Sequence, residues 1–178
     1  MQQLSGYGIT LNRLDQSTIE QVRLWRNLPG VADNMEFNRH ITGSEQLHWF
    51  ASLDKKECYY FTIAVKQKPI GLVHLNQFDE NARSANVGLF IGDEQYVGTG
   101  VSLAASLLIL EFAFEQLGLA LLHAKVKDSN ATAIQYNTFL GFRFSEKLNG
   151  HFSAYHITRH DFMGKKAHLV KLANHIIS

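Results

Sequence analysis

The chain has 178 residues, 46% of them hydrophobic and 19% charged, which excludes a disordered polyelectrolyte and leaves enough length for one real core. Lysine and arginine number 17 against 16 aspartates and glutamates, so no basic excess points to nucleic acid. The most apolar stretch, Val101 to Leu110, is about half the ~20 residues a bilayer requires. Met1-Gln2-Gln3-Leu4-Ser5 lacks the basic-then-apolar order of a secretion signal, and the single cysteine, Cys58, has no internal disulfide partner. A cytoplasmic protein without a membrane segment is expected.

No repeat, linker or composition break divides residues 1–178, so they read as one domain. Tyr7 to Leu14 alternates and reads as a first strand. Ser17 to Leu28 reads as a helix with Ile19, Val22, Leu24 and Trp25 on one side, stopped by Pro29-Gly30. Thr42-Gly43-Ser44-Glu45 is a capping box opening a second helix, which carries Leu47, Phe50 and Leu53. Tyr59 to Val65 is a strand. The turn Lys66-Gln67-Lys68-Pro69 returns the chain through Ile70 to Phe78, and Asn86 to Ile91 completes a meander.

The period then changes. Gly100 to Leu117 is apolar nearly all round and predicts a buried helix. Leu119 to Val126 is a strand, and Asn130 to Leu140 is a helix ended by Gly141. Phe142 to Lys147 and Phe152 to Thr158 pair across Asn149-Gly150. Asp161 is the expected cap of a last helix with an apolar stripe at Leu169, Leu172 and Ile176. The order strand, two helices, three strands, helix, strand, helix, two strands, helix implies a mixed α/β sheet and not a doubly wound parallel one.

Gln95-Tyr96-Val97-Gly98-Thr99-Gly100 lies between a strand and a helix, with Val101 opening that helix. Two glycines let backbone approach a ligand, and the helix start supplies free N–H groups and a positive dipole end. That suits phosphate or pyrophosphate, although a plain turn reads equally well from these six residues. No Gly-Lys-Ser/Thr follows, and the third glycine of a dinucleotide fingerprint would fall at Leu103. Neither HExxH nor CxxC is present, and His156 and His160 straddle a strand end, so no metal is expected.

Taken together, Gln95-x-x-Gly98-x-Gly100, the apolar helix and strand that follow, Asn130-x-x-Ala133-Ile134 and Leu140-Gly141-Phe142 resemble the GNAT superfamily of N-acetyltransferases. The resemblance implies a mixed α+β fold. Its central, mostly antiparallel twisted sheet would have about seven strands, splayed at the acetyl-CoA site, with helices on both faces. It also implies acetyl-CoA as co-substrate and direct transfer to an amine in a ternary complex. The Leu89-Phe90-Ile91 strand would pair with the pantetheine arm and polarise the thioester. Residues 95–101 would hold the pyrophosphate, and Asn130 would reach the pantetheine.

The N-terminal third narrows the resemblance. Leu24-Trp25-Arg26-Asn27, Val31, Met35, Ile41 and Glu45-Gln46-Leu47-His48-Trp49-Phe50 resemble the branch that acetylates nucleotide-linked amino sugars, nearest the pseudaminic-acid pathway type. That branch is similar overall to the ribosomal-protein Nα-acetyltransferases. The implied acceptor is a UDP-linked 4-amino-dideoxy sugar, with Trp25 and Arg26 on the nucleotide and the loop residues Met35 and Asn38 in the acceptor pocket. A protein N-terminus, a polyamine, or CoA binding without turnover are the alternatives. A chain with pI ≈ 7.9 lacks the acidity that would attract a polycation. A homodimer through a strand edge after residues 152–158 is also open.

Two positions depart from the superfamily pattern. The tyrosine that often follows the asparagine by seven residues is replaced by Asn137. Tyr136 is one residue early, a rotation of about 100° on a helix. Both are candidates for the acid that protonates the leaving thiolate. The glutamate often found two residues before the strand glycine is Asn86, which cannot take a proton. His74 on the neighbouring strand is the candidate base, with a buried structural histidine as the alternative.

Overall fold

The computed structural model describes residues 3–53 and 58–177. Met1 and Gln2 lie outside them, as does the Ile176 side chain. β1 (Gln3–Gly6) and β2 (Ile9–Arg13) form a hairpin where a single strand was expected. Tyr7 and Gly8 take φ of 52° and 72°, the left-handed pair that closes a two-residue hairpin. Tyrosine is unusual there, which is why alternation alone ran the strand through it. The sheet consequently has eight strands, not seven.

α1 (Ile19–Arg26) ends two residues earlier than expected, and Pro29 opens the short helix α2 (Pro29–Ala32) at its first position. α3 (Gly43–Ser52) begins with the expected reciprocal capping box between Thr42 and Glu45. β3 (Tyr59–Val65), β4 (Lys68–Asp79) and β5 (Ser84–Ile91) form the meander. Its first turn is Lys66-Gln67 alone, with φ of 48° and 69°, so Pro69 lies within β4 beside a bulge.

After a 3-10 turn at Glu94–Tyr96 comes α4 (Val101–Glu111), nine of whose eleven residues are buried; it continues with π spacing through Gln116. β6 (Leu121–Lys127), α5 (Ala131–Leu140), β7 (Arg143–Lys147), β8 (Phe152–Thr158) and α6 (Arg159–Ile177) complete the chain. α6 is capped differently from the expectation. Thr158 Oγ1 accepts from the Asp161 amide, and the Asp161 carboxylate bonds back to Thr158, so Thr158 is the cap and Asp161 its reciprocal partner.

The sheet order is β1-β2-β3-β4-β5-β6-β8-β7, and only β5 and β6 run parallel. Because the last hairpin docks through β8, strand 152–158 is interior, and the edge expected there belongs to β7. One sheet face packs on α4 and α6 around Phe61, Ile63, Leu107, Phe112, Leu122 and Phe162. The opposite face carries a smaller core of Leu14, Ile19, Val22, Trp25 and Leu72, with α1 and α3 over it. Helices therefore cover both faces of a mixed α+β sheet. The helices α1 and α3 stop short of β6 and β8, whose residues on that face are mostly half-buried, and β7 is exposed along its length.

Candidate active site

β5 and β6 pair over three rungs only, Ser84–Leu121, Ala85–Leu122 and Asn86–His123. Beyond Asn86 they separate, while β5 stays paired with β4 through Ile91. The Gly92 amide donates to the Ile70 carbonyl at 2.8 Å. Alternation along an antiparallel ladder then turns the N–H and C=O of Gly88 and Phe90 toward β4. Those of Val87, Leu89 and Ile91 face the gap. The sheet thus presents an interior strand edge, which an extended amide-bearing ligand can join as a strand.

The gap runs into the 92–101 loop. Asp93 caps the 3-10 turn by accepting from the Gln95 amide and is held by Lys68 at 2.6 Å, which also lies over the Tyr96 ring. Thr99 Oγ1 donates to the Tyr96 carbonyl at 2.7 Å, tightening the loop, while Val97 projects outward. Gly98 and Gly100 take φ of 76° and 88°. A Cβ on Gly98 would meet no protein atom within 4 Å, so the space beside this backbone is open. No side chain caps α4, whose first intrahelical amide bonds come from Leu103 and Ala104 to the Gly100 carbonyl. Open space, left-handed glycines and an uncapped helix start form a cradle that fits a pyrophosphate.

The α1 and α3 face of the sheet beside the gap is polar. His74 stacks on Tyr60, ring centroids 5.0 Å apart, and packs against Gly88, where a Cβ would come within 2.4 Å of the imidazole. Burial, and secondarily the Arg26 charge, push His74 down to about 4. It is therefore neutral at pH 7 but a poor proton acceptor. Taking a proton from an ammonium of pKa ~8 would run uphill by ~5 kcal/mol at ~1.36 per unit.

Arg26 reaches under the loop that follows α2. Its Nη2 lies 3.5 Å from the Phe37 carbonyl, and its Nε is buried without a partner. That loop is a strap. Asn27 and Arg23 tie its end at Ile41 to α1, while Lys125 holds Glu36 at 2.6 Å and Lys127 holds the Asp33 carbonyl at 2.6 Å. It bridges α1 and β6 beside the mouth of the gap.

Residues 9–143 match the model of the Acetyltransferase (GNAT) domain. The chain belongs to the GNAT acetyltransferase family. A solved structure described as apo FdhC, a nucleotide-linked sugar GNAT, is 21% identical, with TM-score 0.81 over 97% of both chains. Spermidine N-acetyltransferase from Vibrio cholerae, with CoA and spermine, is 18% identical, with TM-score 0.78 over 89% of this chain and 99% of that one. RimL, a ribosomal L7/L12 alpha-N-protein acetyltransferase in complex with CoA, is 14% identical, with TM-score 0.75 over 88% and 98%. Such identities carry the fold and not the acceptor. No curated protein sequence matches the chain.

In this GNAT domain the residues singled out from sequence fall into two groups. Leu89, Ile91 and 95–101 surround the gap and the cradle. Phe90 spends its backbone on β4 and its side chain in the smaller core. The Asn130 side chain caps α5 by accepting from the Ala133 amide at 3.0 Å, so its amide nitrogen is the atom left for a ligand. Asn137 is tied into its own helix through Nδ2 to the Ala133 carbonyl at 2.8 Å. The Tyr136 hydroxyl meets Ser106 of α4 at 2.8 Å, and burial raises its pKa well above the ordinary tyrosine value.

Trp25, 6% exposed, packs against Gly92, leaving only part of the ring on a cleft of about 420 Å³ between α1 and residues 92–95. Met35 is half-buried in the strap, and Asn38 is exposed there. No sequence motif marks Tyr60, His123 or Lys125, and His156 is marked only as a rejected metal ligand. The signal was present in β6, where buried Leu122, Ala124 and Val126 alternate with His123, Lys125 and Lys127.

Proposed function

We propose that the chain is an acetyl-CoA-dependent N-acetyltransferase acting on the amine of an anionic acceptor, a UDP-linked 4-amino-dideoxy sugar. The observation that carries the acceptor class is Arg26. Its guanidinium is half-buried beside the gap and has no carboxylate partner among the described residues. Burial lowers its pKa, the mark of a cation short of a counter-ion. A diphosphate supplies that counter-ion, whereas a polyamine adds more positive charge.

In this reading acetyl-CoA lies in the gap, its pantetheine arm paired to Leu89 and Ile91 and its pyrophosphate on the amides near Gly98 and Val101. The Asn130 amide nitrogen reaches the arm. An amide of β5 donates to the thioester oxygen as negative charge develops there. The amine attacks from the α1 side, where Met35 and Asn38 border its pocket. Tyr136 supports α5 against α4, Asn137 its own helix turn, and His74 the floor beside Gly88. The thiolate leaves without a dedicated acid; for a thiol of pKa ~8.5 that costs about 2 kcal/mol at pH 7. Residues 1–178 act as one domain, and no metal takes part.

The test is CoA release from acetyl-CoA with three amines: the UDP-linked 4-amino sugar, spermidine and a peptide N-terminus. The nucleotide sugar should give kcat/KM at least tenfold above the other two, and Arg26→Gln should erase that margin mainly through KM. A preference for spermidine that survives Arg26→Gln refutes the anionic acceptor.

A further inference from the structure

The acceptor side of the gap needs a proton acceptor, and the sheet register brings one there that no motif marks. On the last rung before β5 and β6 part, Asn86 stands opposite His123, and His123 stands opposite His156 of β8. Strand parity puts all three on the α1 and α3 face, because Ala85, Leu122 and Ile157 point into the α4 core. The row Asn86, His123, His156 thus crosses the mouth of the gap on the side from which the amine approaches.

Three imidazoles share this face, and two are committed. His74 is stacked under Tyr60 and poorly basic. His156 shares Nδ1 with Ser145 Oγ at 2.6 Å and lies one strand farther from β5. His123 is half-exposed, has no hydrogen-bond partner among the described residues, and adjoins the diverging edge directly. The other charged groups on this side are spoken for or remote. Lys125 holds Glu36, Lys127 holds the Asp33 carbonyl, and Arg143 of β7 pairs with Asp161. Arg26 cannot accept a proton, the Asp33 carboxylate and His40 sit on the exposed strap, and Glu146 of β7 lies two strands beyond β6.

We propose that His123 takes the proton from the acceptor ammonium, directly or through one water, with His156 fixed beside it by Ser145. The inference rests on acetyl transfer to an amine at this gap. The ammonium gives one proton to the unprotonated ring nitrogen of His123. The freed lone pair forms the N–C bond to the acetyl carbonyl carbon, the C–S bond breaks with its pair on sulfur, and CoA departs as thiolate. As the adduct collapses, its nitrogen sheds the second proton through water to the thiolate, and the imidazolium returns the first to solvent, which leaves a neutral amide and free CoA. Asn86 donates through its amide nitrogen to Gln77 Oε1, so its oxygen is the atom left to accept an amine N–H.

The experiment follows pH profiles of CoA release for the wild type, His123→Gln, His123→Ala, His156→Gln and His74→Gln, with the most active of the three amines named above. Loss of a general base is worth 10²–10⁴-fold. His123→Gln should lower kcat at pH 7 at least a hundredfold, with KM within about threefold. The deficit should shrink as pH rises and the amine deprotonates in solution. Added imidazole should restore part of the activity of His123→Ala and none to His74→Gln. Thermal melts establish that the variants fold. Retention of kcat within threefold in a folded His123→Gln overturns the proposal, as does an equal loss at every pH without imidazole rescue. Wild-type protein that releases no CoA with any amine overturns the acetyl-transfer reading itself, and the role of His123 falls with it.

Discussion

Gly98 and Gly150 are a matched pair for testing the cradle. Both take left-handed φ, 76° and 73°, and a Cβ on either would meet nothing within 4 Å. Alanine at either position therefore clashes with no protein atom and bears only the conformational penalty of about 1–2 kcal/mol. For a chain of this length that corresponds to a melting shift of roughly 2–8 °C at ~2–4 °C per kcal/mol. The two differ in place: Gly98 is in the loop beside the gap, and Gly150 is in the β7–β8 turn. At Gly98 the methyl would enter the space that the proposed pyrophosphate site assigns to the ligand. Losing one charge-assisted hydrogen bond of ~1.5–3 kcal/mol weakens binding about tenfold or more. Calorimetric titration with CoA should thus show Gly98→Ala at least tenfold weaker and Gly150→Ala unchanged, with similar melting shifts. Wild-type affinity in Gly98→Ala, or equal weakening in both variants, refutes the cradle.

Gly92→Ala would place a Cβ 2.1 Å from Trp25 Cγ, so α1 must shift. Chemical denaturation should report a loss of about 1–3 kcal/mol, and the amine KM should rise as Arg26 moves with the helix. Tyr136→Phe leaves Ser106 without its partner and should lower stability by about 1–2 kcal/mol while kcat stays within threefold. A hundredfold fall in kcat would place that hydroxyl at the leaving thiolate. Burial, then its bond to Glu111, raise Tyr7 from 10.0 to about 12. A folded-state value above the unfolded one gives stability that is whole below pH 10 and lost as pH rises toward 12. Alkaline melts of Tyr7→Phe should be flatter across that window than those of the wild type.

Period and punctuation in the sequence carried most of the fold. β3 matches its expected span residue for residue, and the Thr42 and Gly141 boundaries are where the cap and the left-handed glycine put them. The misses are local and physical. Tyr7 turns a hairpin at positive φ, a position at which propensity expects glycine or asparagine. α1 does stop before Pro29, but the proline also opens a further turn of helix, because its fixed φ suits a first helical position. Asp161 sits at the helix start as expected, but Thr158 three residues earlier is the cap and Asp161 its reciprocal partner.

The cradle was legible because glycines mark it by spacing. The acceptor side was not, because it is assembled by register. Asn86, His123 and His156 are far apart in the chain and meet only through the β5, β6 and β8 pairing. Arg26 and Trp25, neighbours on one helix, were read alike from sequence. A rotation of one residue sends the ring into the core against Gly92 and the guanidinium under the strap.

The claim on which the rest depends is that the open edge of β5 receives CoA. Backbone amide NMR during a titration with CoA reads it residue by residue. The amides of Leu89, Ile91, Gly98 and Val101 should shift and become protected from exchange at saturating CoA. Phe90, already paired to β4, and the outer edges at β1 and β7 should stay unchanged. Shifts confined to an outer strand edge, with Leu89 and Ile91 unmoved, would contradict the account.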